Sequence, residues 1–152
     1  MSKLAIIDWG IGGLGFYREW KNHRPDEEVL YFSDSGHTPY GKLSEKQLSD
    51  RLSEVFSFLC DAYGITHFMV ACNAASSVMD GNRITECDQA TGVVDGTVEF
   101  IRTQLTGKEL TILGGSRVIN SKTYSNKLPE FNLLEMSAQP LSALVERGDN
   151  YG

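Results

Sequence analysis

Phe68-Met69-Val70-Ala71-Cys72-Asn73-Ala74-Ala75-Ser76 is the stretch on which the reading of this chain turns. Four apolar residues of strand type run into a single thiol, and Asn73 with the small residues behind it can open a helix. Such a junction puts Cys72 at the carboxyl end of a buried strand, the edge of an open α/β sheet where ligands bind. The unpaired N–H groups of a helix start would lower a thiol pKa from about 8.5 by one unit or more, which predicts an activated thiolate. A buried cysteine serving as a small apolar residue is the other reading of the same pattern.

Working back from this stretch, Lys3 to Ile7 is an aliphatic run that stops at Asp8 and reads as a first, central strand. Trp9-Gly10-Ile11-Gly12-Gly13-Leu14-Gly15 follows, a glycine turn able to bring the backbone close to a ligand before a helix running through Trp20. Gly10, Gly12 and Gly15 have the spacing GxGxxG, a weak signal by itself. No acidic residue ends a second strand as a ribose-binding carboxylate would, so dinucleotide binding is disfavoured. Asp8 ends its strand at the same sheet edge as Cys72, where two titratable groups can share proton transfer. A helix cap or turn carboxylate is its plainer role. Glu28 to Phe32 then reads as a second strand entering the polar loop Ser33 to Gly41, which carries His37 and Tyr40 and suits either a ligand wall or a surface connection.

Ser44-Glu45-Lys46-Gln47 has the capping-box pattern, and Leu48, Leu52, Val55, Phe56, Leu59 and Tyr63 recur at helical spacing up to Gly64. Cys60 lies beside that stripe and is expected in the core. Thr66 to Ala71 is the strand before Cys72, with a helix from Asn73 to Met79. After a polar passage containing Cys87, the pattern predicts strands at 91–95, 110–113 and 131–135, and helices at 98–105, 118–126 and 141–147, the last stopping at Gly148. Strands and helices alternate throughout. The fold class is therefore α/β, a parallel sheet flanked by helices with right-handed crossovers. The pattern restarts near residues 90 to 96, so residues 1–92 are expected to form a first domain carrying Cys72, and 93–152 the start of a second, similar α/β domain.

The chain has 152 residues and a formal net charge of −6, with no cluster of lysine and arginine to displace counterions, which argues against a nucleic-acid or anionic-membrane partner. Three cysteines without a CxxC pair argue against a disulfide framework or a cysteine zinc site and suit a reducing compartment. The apolar stretch before Asp8 is too short for a signal peptide, and no run approaches the roughly 20 residues of a membrane span. The expected location is cytoplasmic.

Three segments in register, Ile6-Ile7-Asp8-Trp9-Gly10-Ile11-Gly12-Gly13-Leu14, Tyr31-Phe32-Ser33-Asp34-Ser35-Gly36-His37-Thr38-Pro39-Tyr40-Gly41 and Val70-Ala71-Cys72-Asn73-Ala74-Ala75-Ser76, resemble the aspartate/glutamate racemase superfamily, most closely its glutamate racemases. A weaker match continues through Val93-Val94-Asp95-Gly96 and the Gly114 to Tyr124 stretch to Leu144-Val145-Glu146. The resemblance implies flavodoxin-like layers in two similar α/β domains with a site between them. It also implies interconversion of L- and D-glutamate without cofactor or metal, supplying D-glutamate for peptidoglycan precursors. Two cysteines would face opposite sides of the substrate Cα, because a lone base tends to return the proton to the face it came from.

Position by position, the resemblance makes Cys72 a catalytic acid/base, Asp8 the carboxylate assisting its proton traffic, and Pro39, Tyr40, Gly41 and Asn73 substrate-binding residues. Trp9 and Ala74 stand at substrate-binding positions where the superfamily has hydroxyls, and Gly115 and Val118 where threonines are usual. The second cysteine belongs to a Cys-Thr-His segment that the resemblance places beyond residue 152, so these residues alone are expected to racemise poorly. The expected partners are a small anionic amino acid, glutamate or aspartate, and a second copy of the chain in a homodimer. A non-catalytic module binding a small acid on the same scaffold is the alternative, and a single-thiol reaction such as decarboxylation of another small acid is a third.

Overall fold

The computed structural model describes residues 3–79 and 89–148. They divide into two compact units, one ending at Val93 and the other beginning at Val94.

β1 (Leu4–Asp8) is buried on both faces, which is why an unalternating aliphatic run becomes a central strand. It pairs in parallel with β2 (Val29–Ser33) on one side and β3 (His67–Val70) on the other, and β3 pairs in parallel with β4 (Ala90–Gly92). The order is β2-β1-β3-β4. Because every pairing is parallel, the carboxyl ends of the strands share one rim. Ile7 is the register partner of Val70, and the Ala71 N–H donates to the Ile7 carbonyl at 2.8 Å, so the residues that follow, Asp8 and Cys72, leave the sheet side by side.

α1 (Leu14–His23) and α2 (Glu45–Tyr63) carry the crossovers. The capping box at the start of α2 forms as the sequence predicts: Ser44 Oγ accepts the Gln47 N–H and Gln47 Oε1 accepts the Ser44 N–H, and Gly64 closes the helix in a left-handed conformation. Such a cap stabilises a helix by about 1 kcal/mol. Leu48, Leu52, Val55, Phe56 and Leu59 seal this helix onto the sheet, with Phe56 stacked on Phe68 at 4.5 Å between ring centroids. The predicted helix after Cys72 is shorter than expected: α3 covers Asn73–Ser76 and relaxes into a turn.

β4 is also shorter than the expected strand at 91–95. It ends at Gly92, and Val93 opens α4 (Val93–Gln104). Val94, Val98 and Ile101 explain the difference: they are buried at helical spacing in the core of the second unit, so the β-branched pair Val93-Val94 belongs to a helix. In that unit β5 (Glu109–Gly114) and β6 (Asn132–Ser137) form a parallel two-stranded sheet. The helix expected at 118–126 is two short ones, α5 (Ser116–Asn120) and α6 (Thr123–Lys127), separated by Lys122 in a left-handed conformation. Ser121 Oγ, bonded to the Val118 carbonyl and to Thr123 Oγ1, competes with the helical ladder there. α7 (Gln139–Arg147) stops at Gly148. One face of the β5–β6 sheet exposes Leu113, Leu134 and Met136, and α7 exposes Leu141 and Val145. No helix among the described residues is long and apolar enough to cross a membrane.

Candidate active site

The glycine turn after β1 folds around the Asp8 carboxylate. Asp8 Oδ1 accepts the Trp9 N–H at 2.8 Å, and Oδ2 accepts the Gly13 N–H at 2.9 Å and the Tyr31 hydroxyl at 3.3 Å. Asp8 is buried, so these donors offset the cost of keeping a carboxylate away from water. The close approach made possible by glycine is to the protein's own strands: a Cβ at Gly13 would stand 2.9 Å from Ala71 Cβ and 3.1 Å from the Tyr31 oxygen. Asp8 thus performs the turn-carboxylate role and lies beside Cys72 as well.

Cys72 keeps partial exposure as a residue, while its sulfur is largely enclosed by protein. The sulfur faces the first glycine bend, where the Trp9 N–H points at it, and the N–H groups of Ala75 and Ala74 approach from α3. The expected activated thiolate is not what this arrangement produces. Burial, and then the negative charge of Asp8, push the thiol up to about 12, outweighing the three N–H groups. A helix of four residues has too small a dipole to reverse that balance. At neutral pH Cys72 is a protonated acid held next to a carboxylate.

Around this pair, Asn73 is exposed at the first position of α3, and Ala74 is half-buried with its carbonyl accepting the Ser77 hydroxyl. The Trp9 indole is half-buried and donates Nε1–H to the His37 carbonyl at 2.9 Å, tying the glycine turn to the loop after β2. Half-buried Pro39 and exposed Gly41 flank Tyr40 on that loop. Tyr40 itself is buried, and its hydroxyl donates to Asp34 at 2.8 Å, so the phenol points into the protein. Gly115 and Val118 belong to the second unit, where Gly115 precedes α5 and Val118 is buried in the core. Cys87 lies outside the described residues. The residues that sequence reasoning missed are Tyr31, Asp34 and Arg51. Tyr31 binds Asp8 from β2, a register relationship that the linear sequence does not display.

Among the described residues a cavity of about 570 Å³ opens at the amino ends of β1 and β2, lined by Lys3, Tyr17, Lys21 and Tyr63 among others. It is on the opposite rim from Cys72, and its two lysines are bonded to main-chain carbonyls.

Comparison with known proteins gives this rim a context. No family model matches the chain. Glutamate racemase 3 of Caldanaerobacter subterraneus subsp. tengcongensis is 27% identical over 151 residues, covering 95% of this chain and 54% of its own. The solved glutamate racemase of Aquifex pyrophilus superposes with a TM-score of 0.83 at 26% identity, covering 99% of this chain and 60% of its own. This chain is similar in sequence and in fold to glutamate racemases. It spans about half the length of the curated racemases it matches. A further racemase, from Francisella tularensis and solved with D-glutamate, has a TM-score of 0.85 over 99% of this chain and 58% of its own; at 22% identity it speaks for the fold alone. Near the sulfur, Trp9 and Ala74 contribute their main-chain N–H groups, and the Trp9 side chain is turned to the His37 carbonyl.

Proposed function

We propose that the chain carries one half of a cofactor-independent amino-acid racemase site of the glutamate/aspartate type, with Cys72 as an acid/base acting on the substrate Cα and Asp8 as the group assisting its proton traffic. The observation that carries this reading is the juxtaposition of the Cys72 thiol and the Asp8 carboxylate on one sheet rim of a racemase relative. Similarity to the glutamate racemases of Caldanaerobacter subterraneus and Aquifex pyrophilus makes glutamate the first substrate to test.

The raised pKa assigns a direction to the chemistry. Resting Cys72 is a proton donor; to accept the Cα proton it must first be ionised. A bound substrate ammonium would favour that ionisation by offsetting the charge of Asp8. Inversion needs a second acid/base on the opposite face, and the one other cysteine among the described residues does not serve: Cys60 lies on α2, half-buried against the core. With one sulfur acting, the chain exchanges the Cα hydrogen of one enantiomer and inverts it slowly.

Incubation of L-glutamate in deuterated water tests this. Deuterium appearing at Cα ahead of D-glutamate, and lost in Cys72→Ala, is the expected result; no exchange on glutamate or aspartate overturns it. The second reading, a small-acid-binding module, is favoured by the indole fixed across the rim and by the protonated thiol. It wins if glutamate raises the thermal midpoint without any exchange.

A further inference from the structure

Beside the Cys72 and Asp8 pair the first unit contains another buried ionic cluster that the proposed chemistry leaves idle. Arg51, on α2, donates Nε–H to Asp34 Oδ2 at 2.8 Å and Nη2–H to Asp34 Oδ1 at 2.6 Å. Tyr40 donates its hydroxyl to the same Oδ2 at 2.8 Å. Asp34 is 5% exposed and Tyr40 1%, while the outer Nη1 of Arg51 is held by Glu54 at 3.0 Å. Burying an ion pair gains little stability, because desolvation cancels most of the attraction. A two-pronged guanidinium–carboxylate contact does, however, fix geometry closely. The group fixed here is Tyr40, which opens a 3-10 turn (Tyr40–Lys42) packed against α3, its ring in the same cluster as Cys72.

We propose that Arg51 is a positioning residue of the Cys72 site: through Asp34 it holds the Tyr40 ring in place in the core beside the thiol, so that α2 sets the packing around the sulfur. This rests on the reading of Cys72 as the reactive group, and its consequence is a rigid, apolar wall next to the sulfur. The Tyr40 hydroxyl is committed to Asp34 and its ring is buried, so the turn offers a ligand its main chain and no phenol donor. Asp8, from β1, is the ionisable side chain whose charge raises the thiol, and the sulfur in turn raises the Tyr40 phenol from its side of the contact.

Iodoacetamide alkylation of the whole chain between pH 7 and 10, with Cys72 and Cys60 followed separately by peptide mass spectrometry, tests the assignment. Arg51→Met should free the turn, let water reach the sulfur and speed Cys72 alkylation about tenfold at pH 8, the effect of lowering a thiol pKa by one unit. Cys60, on the same helix as Arg51, should keep its rate. Tyr40→Phe, which retains the ring but not its bond to Asp34, should move in the same direction, and Arg51→Lys should recover part of the parental profile. If Arg51→Met does not fold, Tyr40→Phe and Arg51→Lys decide the question alone. An unchanged Cys72 profile, or Cys60 and Cys72 accelerating together, overturns the proposal. Because the readout is the thiol and not turnover, a parent chain that fails to exchange glutamate defeats the racemase reading without touching this result.

Discussion

The Gly13 N–H donates to Asp8 Oδ2 at 2.9 Å, closing the glycine turn on the carboxylate that begins it. One anion therefore both shapes the turn before α1 and raises the thiol pKa of Cys72 across the rim. Shape and charge can be separated by substitution.

Asp8→Asn keeps the size of the side chain and removes its charge. Without that anion the Cys72 thiol pKa falls, so alkylation at pH 8 should rise several-fold, while any Cα exchange that depends on a carboxylate for proton traffic should drop. Asp8→Ala loses the accepted hydrogen bonds as well and should lower unfolding stability by about 2–4 kcal/mol in a urea titration, at 1–3 kcal/mol for each buried donor left unpaired. A parallel fall of alkylation and exchange in Asp8→Asn would refute the electrostatic account.

The raised Cys72 pKa also fixes a pH dependence. The folded state holds the proton more tightly than the unfolded chain, so this contribution to stability is complete below about pH 8.5 and is lost as pH rises through about 12. The urea midpoint of the parent should therefore fall more steeply between pH 9 and 11 than that of Cys72→Ala. Equal slopes would mean that the sulfur is solvated.

Asp34 behaves in the opposite sense. Burial pushes its carboxyl up, but the hydrogen bonds from Arg51 and Tyr40 and the charge of Arg51 outweigh burial and hold it below the ordinary value of 3.8. Its contribution is present above that value and is lost as pH falls below it. Asp34→Asn, which leaves Arg51 with Glu54 as its remaining carboxylate, should cost about 1–3 kcal/mol at pH 7. The gap from the parent should narrow by pH 2, as measured by denaturant unfolding at both values.

The layout of the fold was legible wherever periodicity and chemistry agreed. Asp8 at a strand end, the Ser44 capping box and the apolar stripe of α2 each follow from local rules, and the structure reproduces them. Val93 and Val94 misled because β-branched residues favour strands until tertiary packing decides otherwise, and Val94 is packed in a helix face. The pKa of Cys72 was misjudged for a related reason: its neighbours in sequence supply N–H groups, whereas what outweighs them, burial first and then the Asp8 anion from another strand, comes from the fold. Arg51 escaped notice because on the sequence it is one more charge on the polar side of a helix, and only the fold shows that it reaches Asp34.

Gly92 marks the point where β4 meets the turn after α3. A Cβ there would overlap the Ser76 side chain, and Ser76 is itself buried. Gly92→Ala should lower the unfolding free energy by about 1–3 kcal/mol, the usual range for overpacking, and pairing it with Ser76→Gly should restore most of the loss. A thermal melt of the single and double variants reads both effects; additive losses would show that the overlap is relieved elsewhere.

Trp9 separates the two proposed functions. Its indole is packed against the core of the first unit and fixed to the His37 carbonyl, so Trp9→Ser removes buried ring surface together with one hydrogen bond and should cost about 2–4 kcal/mol of stability. Trp9→Phe keeps most of the ring and should lose about 1 kcal/mol, the value of the hydrogen bond alone. If the indole occupies space that a substrate carboxylate would use, Trp9→Ser should bind glutamate more tightly than the parent despite being less stable, and Cα exchange should rise with it. If the indole is instead a wall against which the ligand packs, Trp9→Ser should weaken the glutamate-induced thermal shift while Trp9→Phe preserves it. Stability and ligand response then move together in one case and in opposition in the other, because filling a pocket and lining it place the same ring on opposite sides of the binding equilibrium.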